Sequence, residues 1–302
     1  MVWVPGGTFL MGSDLADYPE EGPPHHATVD GFWVDETPVT VAQFRRFVKA
    51  TGYVTVAEQT PDPADYPDLA PAVLVPGSSV FHPTAGPVDL TNMLNWWRYL
   101  PGADWAHPYG PDSSAEQTHP VVHVCWADVV VYAEWAGKLL PTEAEWERSA
   151  RGGMVGAKYV WGEEFTRKGR PLANTWIGEF PWQNLKPAGH QRTTPVRSYP
   201  ANSYGLYDVA GNVWEWTSDF YVAQHAAQHA CCAPPENPRV DAAAGSYDES
   251  EPGGAHIPRR VIKGGSHLCA ENYCQRYRPA ARQAQQVESP MSHLGFRCIR
   301  RP

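Results

Sequence analysis

The sequence has no excess of positive charge. Its 302 residues include 24 Lys and Arg against 33 Asp and Glu, which gives a formal net charge of −9 at pH 7. General binding of nucleic acid or of an anionic membrane needs a basic surface, so this balance argues against both. A basic peptide suits such a chain better.

Long apolar runs and export signals are also missing. No apolar run reaches the roughly 18 residues of a membrane-spanning helix, so we expect none. Residues 1–7 lack a basic n-region and an apolar h-region, and we therefore expect no signal peptide and a cytoplasmic location. Six cysteines are too few for a disulfide scaffold of this size, and reduced thiols are the default without export.

Glycine and proline, in contrast, are abundant. The 26 Gly and 30 Pro interrupt the chain too often for long helices, and 13 Trp suggest a fold held by aromatic anchors. No repeat or sharp change in composition divides the chain. We predict one α+β domain over residues 1–302 with little regular structure, and a long surface loop at residues 222–260.

Three helices and several strands are predicted. Capping boxes at residues 40–43 and 142–145 begin helices that end near Gly52 and Ala150, and a further helix covers residues 126–136. Residues 60–115 are predicted as mostly loop. Strands or strand-like pieces are predicted at residues 6–12, 27–34, 159–161, 194–197, 204–207, 213–216 and 260–265.

The sharpest chemical signal is a cysteine pair near the C-terminus. Cys269 and Cys274 stand five residues apart, and nearby cations favour thiolates. Two thiolates with no other ligand nearby suit Cu(I) better than Zn(II), which needs four ligands. A local disulfide, a half-built zinc site and two unrelated buried thiols remain open alternatives. The flanking polar and aromatic residues are Ser266, Tyr273, Tyr277, Arg276, Arg278 and Arg282.

Two weaker patterns concern metals. His119 and His123 have i, i+4 spacing, but Pro120 and the valines favour an extended chain in which both rings share one strand face; His25–His26 is no stronger. Asp208 and Glu215 flank a glycine turn and, with carbonyls between them, could hold Ca(II); solvated acids at a tight turn are the simpler alternative. The vicinal pair Cys231–Cys232 is interpreted as a surface feature.

The cysteine segment carries a family resemblance. Residues 264–278 read Gly-Gly-Ser-His-Leu-Cys-x4-Cys-x-Arg-Tyr-Arg, with Ala-Ala-Arg282 and Leu294-Gly-Phe-Arg-Cys298 beyond. This resembles the formylglycine-generating enzymes, the sulfatase-modifying oxidases, and is similar to their bacterial aerobic members. The likeness extends over nearly the whole chain. Further matching blocks are residues 5–13, 38–40, 105–111, 140–146, 178–181 and 211–216.

The resemblance implies both a fold and a reaction. The fold is of the C-type-lectin-related kind, with many loops. The reaction is oxidation of the cysteine in a Cys-x-Pro-x-Arg segment of an unfolded or nascent sulfatase to Cα-formylglycine. Molecular oxygen and a thiol reductant are consumed, Cu(I) is the cofactor, and Ca(II) is structural.

The resemblance also assigns residues. Cys269 and Cys274 become the catalytic pair and the copper ligands, with Ser266, Tyr273, Arg276 and Trp214 around them. The implied calcium ligands are Asn174, Thr175, Ala188 and His190 at one site and Asp208, Gly211, Val213 and Glu215 at the other.

Three positions depart from the family pattern. Ala188 stands where eukaryotic relatives have an acid, so only backbone carbonyls could serve there. His293 stands where relatives often have Asn, which is expected to alter substrate contact. Pro279 replaces a cysteine and leaves Cys298 without an obvious partner, which fits a reducing cytoplasm.

Three alternatives stay open. The same pair could oxidise the same substrate by metal-free thiol–disulfide chemistry. A non-catalytic peptide-binding module of this fold is the second alternative, although it would be expected to lose the cysteine pair. The third is an iron sulfoxide synthase, whose three-histidine site and added helical domain are not evident here.

Overall fold

The computed structural model describes residues 1–63, 70–226, 233–248 and 257–302. Its three helices are α1 (Val41–Thr51), α2 (Trp126–Trp135) and α3 (Glu143–Arg151), and short 3-10 turns lie between the longer elements. The strands are β1 (Val2–Val4), β2 (Gly7–Met11), β3 (His25–Val29), β4 (Phe32–Val34), β5 (Gly77–Phe81), β6 (Trp97–Pro101), β7 (Thr166–Arg167), β8 (Arg170–Pro171), β9 (Trp214–Phe220), β10 (Arg259–Lys263), β11 (Arg282–Gln286), β12 (Leu294–Gly295) and β13 (Ile299–Arg300).

The predicted helices are confirmed, and local sequence explains them. Thr40 caps α1 by accepting from the Gln43 N–H while the Gln43 side chain reaches back, and Thr142 and Glu145 do the same for α3. Gly52 ends α1 in a left-handed conformation with φ 69°. The apolar face of α1 is buried, because Val41, Phe44 and Phe47 recur at helical spacing.

The strands form small sheets. The central four-stranded sheet has the order β11-β10-β9-β12, with β12 parallel to β9, and a three-stranded sheet has the order β1-β4-β13. Three hairpins, β2-β3, β5-β6 and β7-β8, complete the described strands. The predicted α+β class, with many loops, is confirmed.

Several strand predictions were wrong. Residues 27–34 contain two strands, because the chain turns at Asp30–Gly31. Residues 60–115 contain the β5-β6 hairpin, whose pairing across a Pro-rich connection gives no local signal. Residues 159–161, 194–197 and 204–207 form turns and irregular chain, not strands, with one isolated bridge between Tyr159 and Gly162. The predicted loop at 222–260 lies partly outside the described residues, and β10 begins at Arg259.

Two apolar clusters meet at the cysteine segment. The main core includes Trp146, Trp214 and Phe296 together with Cys269 and Cys274. A second cluster contains Trp96, Trp176, Phe180, Leu268 and Ala270. Cys269 therefore contributes to one cluster while both of its neighbours contribute to the other. In the described parts of the chain, no helix is long and apolar enough to cross a membrane.

Candidate active site

Cys269 and Cys274 lie side by side. Their Sγ atoms are 3.1 Å apart, which is hydrogen-bond distance for thiols and beyond the roughly 2.05 Å of a disulfide. The thiols are free, and the residues are 2% and 6% exposed. Tyr273, the residue before Cys274, is 39% exposed, so the chain reaches the surface beside the pair.

Backbone hydrogen bonds fix the segment that carries the pair. The Cys274 N–H donates to the Ala270 carbonyl at 2.9 Å, which turns the chain so that both side chains point the same way. The Trp176 N–H donates to the Cys269 carbonyl, also at 2.9 Å. Gly265 precedes the segment with φ 68°, and a Cβ there would lie 2.6 Å from the Arg276 carbonyl oxygen. Glycine is therefore required for this close approach.

The two thiols differ in acidity. The hydrogen bond from Cys269 lowers the pKa of Cys274 to about 7, helped by the charge of Arg276 and opposed by burial. Burial, followed by the interaction with Cys274, raises the pKa of Cys269 well above its ordinary value. Cys274 therefore ionises first and Cys269 donates the hydrogen bond to it.

Only one of the three flanking arginines acts on the pair as predicted. Arg276 lowers the pKa of Cys274, and its Nη2 also lies 2.8 Å from Glu20 Oε1. Arg278 instead forms a buried ion pair with Glu21, at 2.5 Å from Nη2 to Oε1. The third, Arg282, pairs with the carboxylate of Glu143. These two arginines anchor the segment to elements that are distant in sequence.

Ser266 lies beside the pair and contacts the divergent histidine. Its Oγ is 3.1 Å from His293 Nδ1 and accepts the Leu268 N–H at 3.2 Å. The Ser266 N–H lies 3.5 Å from Cys269 Sγ. Burial lowers the pKa of His293 well below its ordinary value, so the imidazole is neutral at pH 7.

An aromatic wall adjoins Tyr273, and it was not predicted. The Tyr273 ring stacks on Phe180 with centroids 4.5 Å apart and planes at 7°, and Trp96 meets it edge-on at 5.5 Å. Phe180 belongs to the family-like block at residues 178–181, so the sequence marked this residue but did not indicate that it packs on Tyr273. Phe180 and Trp96 thus support the exposed Tyr273 ring, which forms an apolar surface beside the thiols.

Trp214 is placed in the same buried cluster as both cysteines. It opens strand β9, is 2% exposed, and donates its N–H to the His293 carbonyl at 2.8 Å. The tryptophan thus ties the central sheet to the histidine that contacts Ser266.

The second calcium set lies within residues 208–215, and its two acids have different surroundings. Both Glu215 oxygens accept from Arg297, at 2.6 and 2.7 Å, and Oε2 also accepts from Trp146. The negative charge of Glu215 is therefore already balanced by Arg297. Asp208 is 6% exposed, and burial, with a contribution from Glu215, raises its pKa to about 6. A buried carboxylate of this kind is a suitable cation ligand.

The remaining second-set residues are backbone candidates. Gly211 has φ 69°, and a Cβ there would lie 2.3 Å from the Asn174 carbonyl oxygen. Val213 is 1% exposed and immediately precedes β9. In the first set, Asn174 and Thr175 are each 1% exposed, whereas Ala188 and His190 lie on the surface.

The other metal patterns are not assembled. His119 and His123 do not share a strand face, because His123 has φ 61° and interrupts the extended chain. His119 contacts Thr193 Oγ1 at 2.9 Å, and His123 contacts Ser78 Oγ at 2.6 Å. Within the described ranges, no three His, Cys, Asp or Glu side chains form a metal-binding group. Cys231–Cys232 lies outside the described residues.

Comparison with known proteins supports the resemblance throughout the chain. The family described as the sulfatase-modifying factor enzyme 1-like domain matches residues 1–302. A formylglycine-generating enzyme of Mycobacterium tuberculosis is 49% identical, over 100% of this chain and 98% of that protein. One from Thermomonospora curvata is 44% identical, over 100% of this chain and 93% of that protein.

A solved structure supports the fold. PvdO from Pseudomonas aeruginosa superposes with a TM-score of 0.62 at 23% identity, covering 99% of this chain and 93% of that one. With a family match over every residue and relatives above 40% identity along their length, this chain belongs to the formylglycine-generating, sulfatase-modifying factor enzyme family.

Proposed function

We propose that this chain oxidises the cysteine of a Cys-x-Pro-x-Arg segment in an unfolded sulfatase to Cα-formylglycine. Family membership supports an oxidoreductase that acts on a protein cysteine. The observation that carries the proposal is the pair of free thiols of Cys269 and Cys274, 3.1 Å apart beside an exposed aromatic residue. The net charge of −9 suits a substrate segment that contains arginine.

The proposed reaction balances with O2 and two reductant thiols. One Cβ–H bond and the S–H bond of the substrate are broken to give a thioaldehyde, and the substrate loses two electrons. The reductant thiols supply two more electrons and become a disulfide, so that O2 is reduced to two water molecules. Water then hydrolyses the thioaldehyde to the aldehyde and releases hydrogen sulfide.

The pair suits a soft monovalent metal ion. Cys269 and Cys274 would hold Cu(I), since both are thiols and no third His, Cys, Asp or Glu side chain in the described parts joins them in a metal-binding group. Bound copper would supply the one-electron chemistry with O2 that thiol side chains lack. Arg276 favours the thiolate of Cys274, which prepares one ligand near neutral pH.

The surrounding side chains position the substrate. Ser266 and His293 form a polar contact at one side of the pair, and the Ser266 N–H faces Cys269 Sγ. Tyr273 and the Phe180 ring behind it offer an apolar face for an extended peptide, and for its proline in particular. Substrate binding beside Tyr273 would cover the pair and exclude water from it.

Calcium is proposed only at the second set. There Asp208 would contribute its carboxylate, and Gly211, Val213 and Glu215 would contribute main-chain oxygens. The role would be to tie the loop before β9. A reducing compartment such as the cytoplasm fits the four free cysteines among the described residues.

Metal-free oxidation by the same pair is the second candidate. The 3.1 Å separation of the thiols favours it, because a disulfide needs only a small further approach. In that case O2 would first take two electrons and two protons from the pair, which would give a Cys269–Cys274 disulfide and hydrogen peroxide. The substrate thiolate would attack Cys269 and release the more acidic Cys274 as its thiolate. Loss of a proton from the substrate Cβ would then break the mixed disulfide into the thioaldehyde and the Cys269 thiolate, which takes up that proton. A non-catalytic peptide-binding module of the same fold would give binding without an aldehyde.

The experiment is a peptide assay under controlled oxygen and copper. The metal-free protein is reconstituted with Cu(I) and incubated with a Cys-x-Pro-x-Arg peptide and dithiothreitol. We expect one aldehyde and one hydrogen sulfide per O2 consumed, and none without oxygen. A cuprous chelator that leaves the rate unchanged would favour metal-free oxidation, and binding without aldehyde would favour the module.

A further inference from the structure

The first calcium set is divided between the interior and the surface. Asn174 and Thr175 are buried, each 1% exposed, and the Asn174 carbonyl accepts the N–H of Asn212 at 2.8 Å. Ala188 and His190 belong to an exposed turn in which the His190 N–H donates to the Pro187 carbonyl at 3.0 Å. Ala188 has no side-chain oxygen. The residues present therefore do not form an oxygen cage for Ca(II), which takes six to eight ligands.

A lysine from the same loop enters this position instead. The Lys186 side chain is buried, at 6% exposure, although the residues that follow it are exposed. Its Nζ donates a hydrogen bond to the Asn174 side-chain oxygen. That oxygen is the side-chain ligand that the resemblance assigned to calcium.

The Asn174 amide is held on both sides. Its Nδ2 donates to the Arg192 carbonyl at 2.9 Å, to Asn212 Oδ1 at 3.1 Å and to Thr194 Oγ1 at 3.3 Å. The amide cannot be flipped without the loss of these bonds, so Oδ1 faces the lysine. A buried oxygen of this kind needs a hydrogen-bond donor or a cation opposite it, and the lysine ammonium provides both.

The Lys186 ammonium faces an amide oxygen and not a carboxylate. Among the residues that the structure describes, Lys186 takes part in no ion pair. Lys186 is buried, and its partner, the Asn174 side-chain oxygen, is a hydrogen-bond acceptor, which suits a lysine ammonium. A buried ammonium that faces a neutral amide oxygen is the arrangement expected when a lysine takes the place of a bound metal ion.

We propose that the Lys186 ammonium occupies the cation position at Asn174 and that this chain binds no divalent ion there. A calcium ion and the Lys186 ammonium cannot both contact the single Asn174 side-chain oxygen, because two cations so close together repel each other. The Lys186 ammonium therefore holds the loop between Asn174 and Thr194 in place of a metal ion. This inference does not depend on the proposed reaction.

The contact between Lys186 and Asn174 lies close to the segment that carries the cysteine pair. Two residues after Asn174, the Trp176 N–H holds the Cys269 carbonyl, and the Asn212 carbonyl accepts the N–H of His267 at 3.0 Å. Lys186 thus supports a region that positions the thiols. Chelators of divalent cations should leave this support intact.

Amine labelling tests the proposal on the unmodified protein. Lysines are acetylated briefly at pH 7.5, in EGTA or in millimolar calcium, and each site is quantified by mass spectrometry with exposed Lys49 and Lys168 as references. We expect Lys186 to react at least tenfold more slowly than Lys168, equally in both solutions. Labelling at the rate of Lys168, or labelling that calcium accelerates, would overturn the proposal.

Calcium counting gives a second readout. Bound calcium per chain is measured by native mass spectrometry for the unmodified protein and for Asn174→Ala. We expect the same number in both, since any calcium belongs to the Asp208 set. Loss of one calcium in Asn174→Ala would overturn the proposal, and the labelling result decides the matter if that variant does not fold.

Discussion

The Oγ atom of Ser266 lies 3.1 Å from Nδ1 of His293. Because Ser266 Oγ already accepts from the Leu268 N–H, its own proton is available for the neutral imidazole. Ser266→Ala and His293→Ala should each lower kcat/KM for the peptide about fivefold, the equivalent of one hydrogen bond of about 1 kcal/mol. The double variant should be little worse than either single variant. Fully additive losses would contradict the coupling, and His293→Asn should retain part of it.

Arg276 should control the acidity of Cys274. In Arg276→Gln, removal of the positive charge should raise the pKa of Cys274 above about 7, although the Cys269 hydrogen bond remains. The measurement is the pH dependence of thiolate absorbance at 240 nm in metal-free protein. Arg239→Gln is the control, because this arginine is largely exposed and its partner is Asp241. Equal titration curves for Arg276→Gln and the parent would refute the assignment.

Tyr273 should act through its ring. Tyr273→Phe preserves the stack on Phe180, whereas Tyr273→Ala removes it. An aromatic contact contributes about 0.5–1.5 kcal/mol, so KM should rise roughly two- to thirteenfold in the alanine variant. The phenylalanine variant should bind the peptide nearly as well as the parent. A large loss in kcat without a change in KM would argue against a binding role.

Loss of a buried ion-pair network should account for much of the fall in stability at low pH. Burial raises the pKa of Glu147, but Lys263 and Arg151 outweigh it and hold the value at about 2. A carboxyl with a depressed folded pKa stabilises the fold above its unfolded pKa near 4.3, and this contribution is lost as pH falls from there towards 2.

Glu147→Gln should therefore cost about 3–5 kcal/mol in urea unfolding at pH 7, because Lys263 and Arg151 lose a charged partner. The slope of stability against pH between about 4.5 and 2 should also become flatter than in the parent. Glu134→Gln on the exposed face of α2 is the matched control and should change stability by less than about 0.5 kcal/mol. An unchanged free energy of unfolding in Glu147→Gln would disprove the role of the network.

The elements that were predicted correctly depend on local sequence. A capping box at residues 142–145 and a glycine stop after α1 act within one helical turn, so they are readable without a structure. The cysteine pair was also local, since five residues suffice to bring the two thiols together.

The features that were missed depend on contacts between distant residues. Arg278 pairs with Glu21, 257 residues away. No spacing rule distinguishes Arg278 from Arg276, the arginine that lowers the pKa of Cys274. The β5-β6 hairpin and the Tyr273–Phe180 stack likewise need the folded chain. Lys186 reaches Asn174 from 12 residues away along an irregular loop, where side-chain direction follows no period.

Copper binding by the two thiols tests the central claim most directly. Metal-free parent, Cys269→Ser, Cys274→Ser and the control Cys125→Ser are titrated with Cu(I) against a competing cuprous chelator and then assayed for peptide aldehyde. Serine is a good N-cap, so the control should fold with α2 intact. We predict one tightly bound copper and full turnover in the parent and the control, and neither in the two pair variants. Copper-dependent turnover in Cys269→Ser or Cys274→Ser would contradict the account.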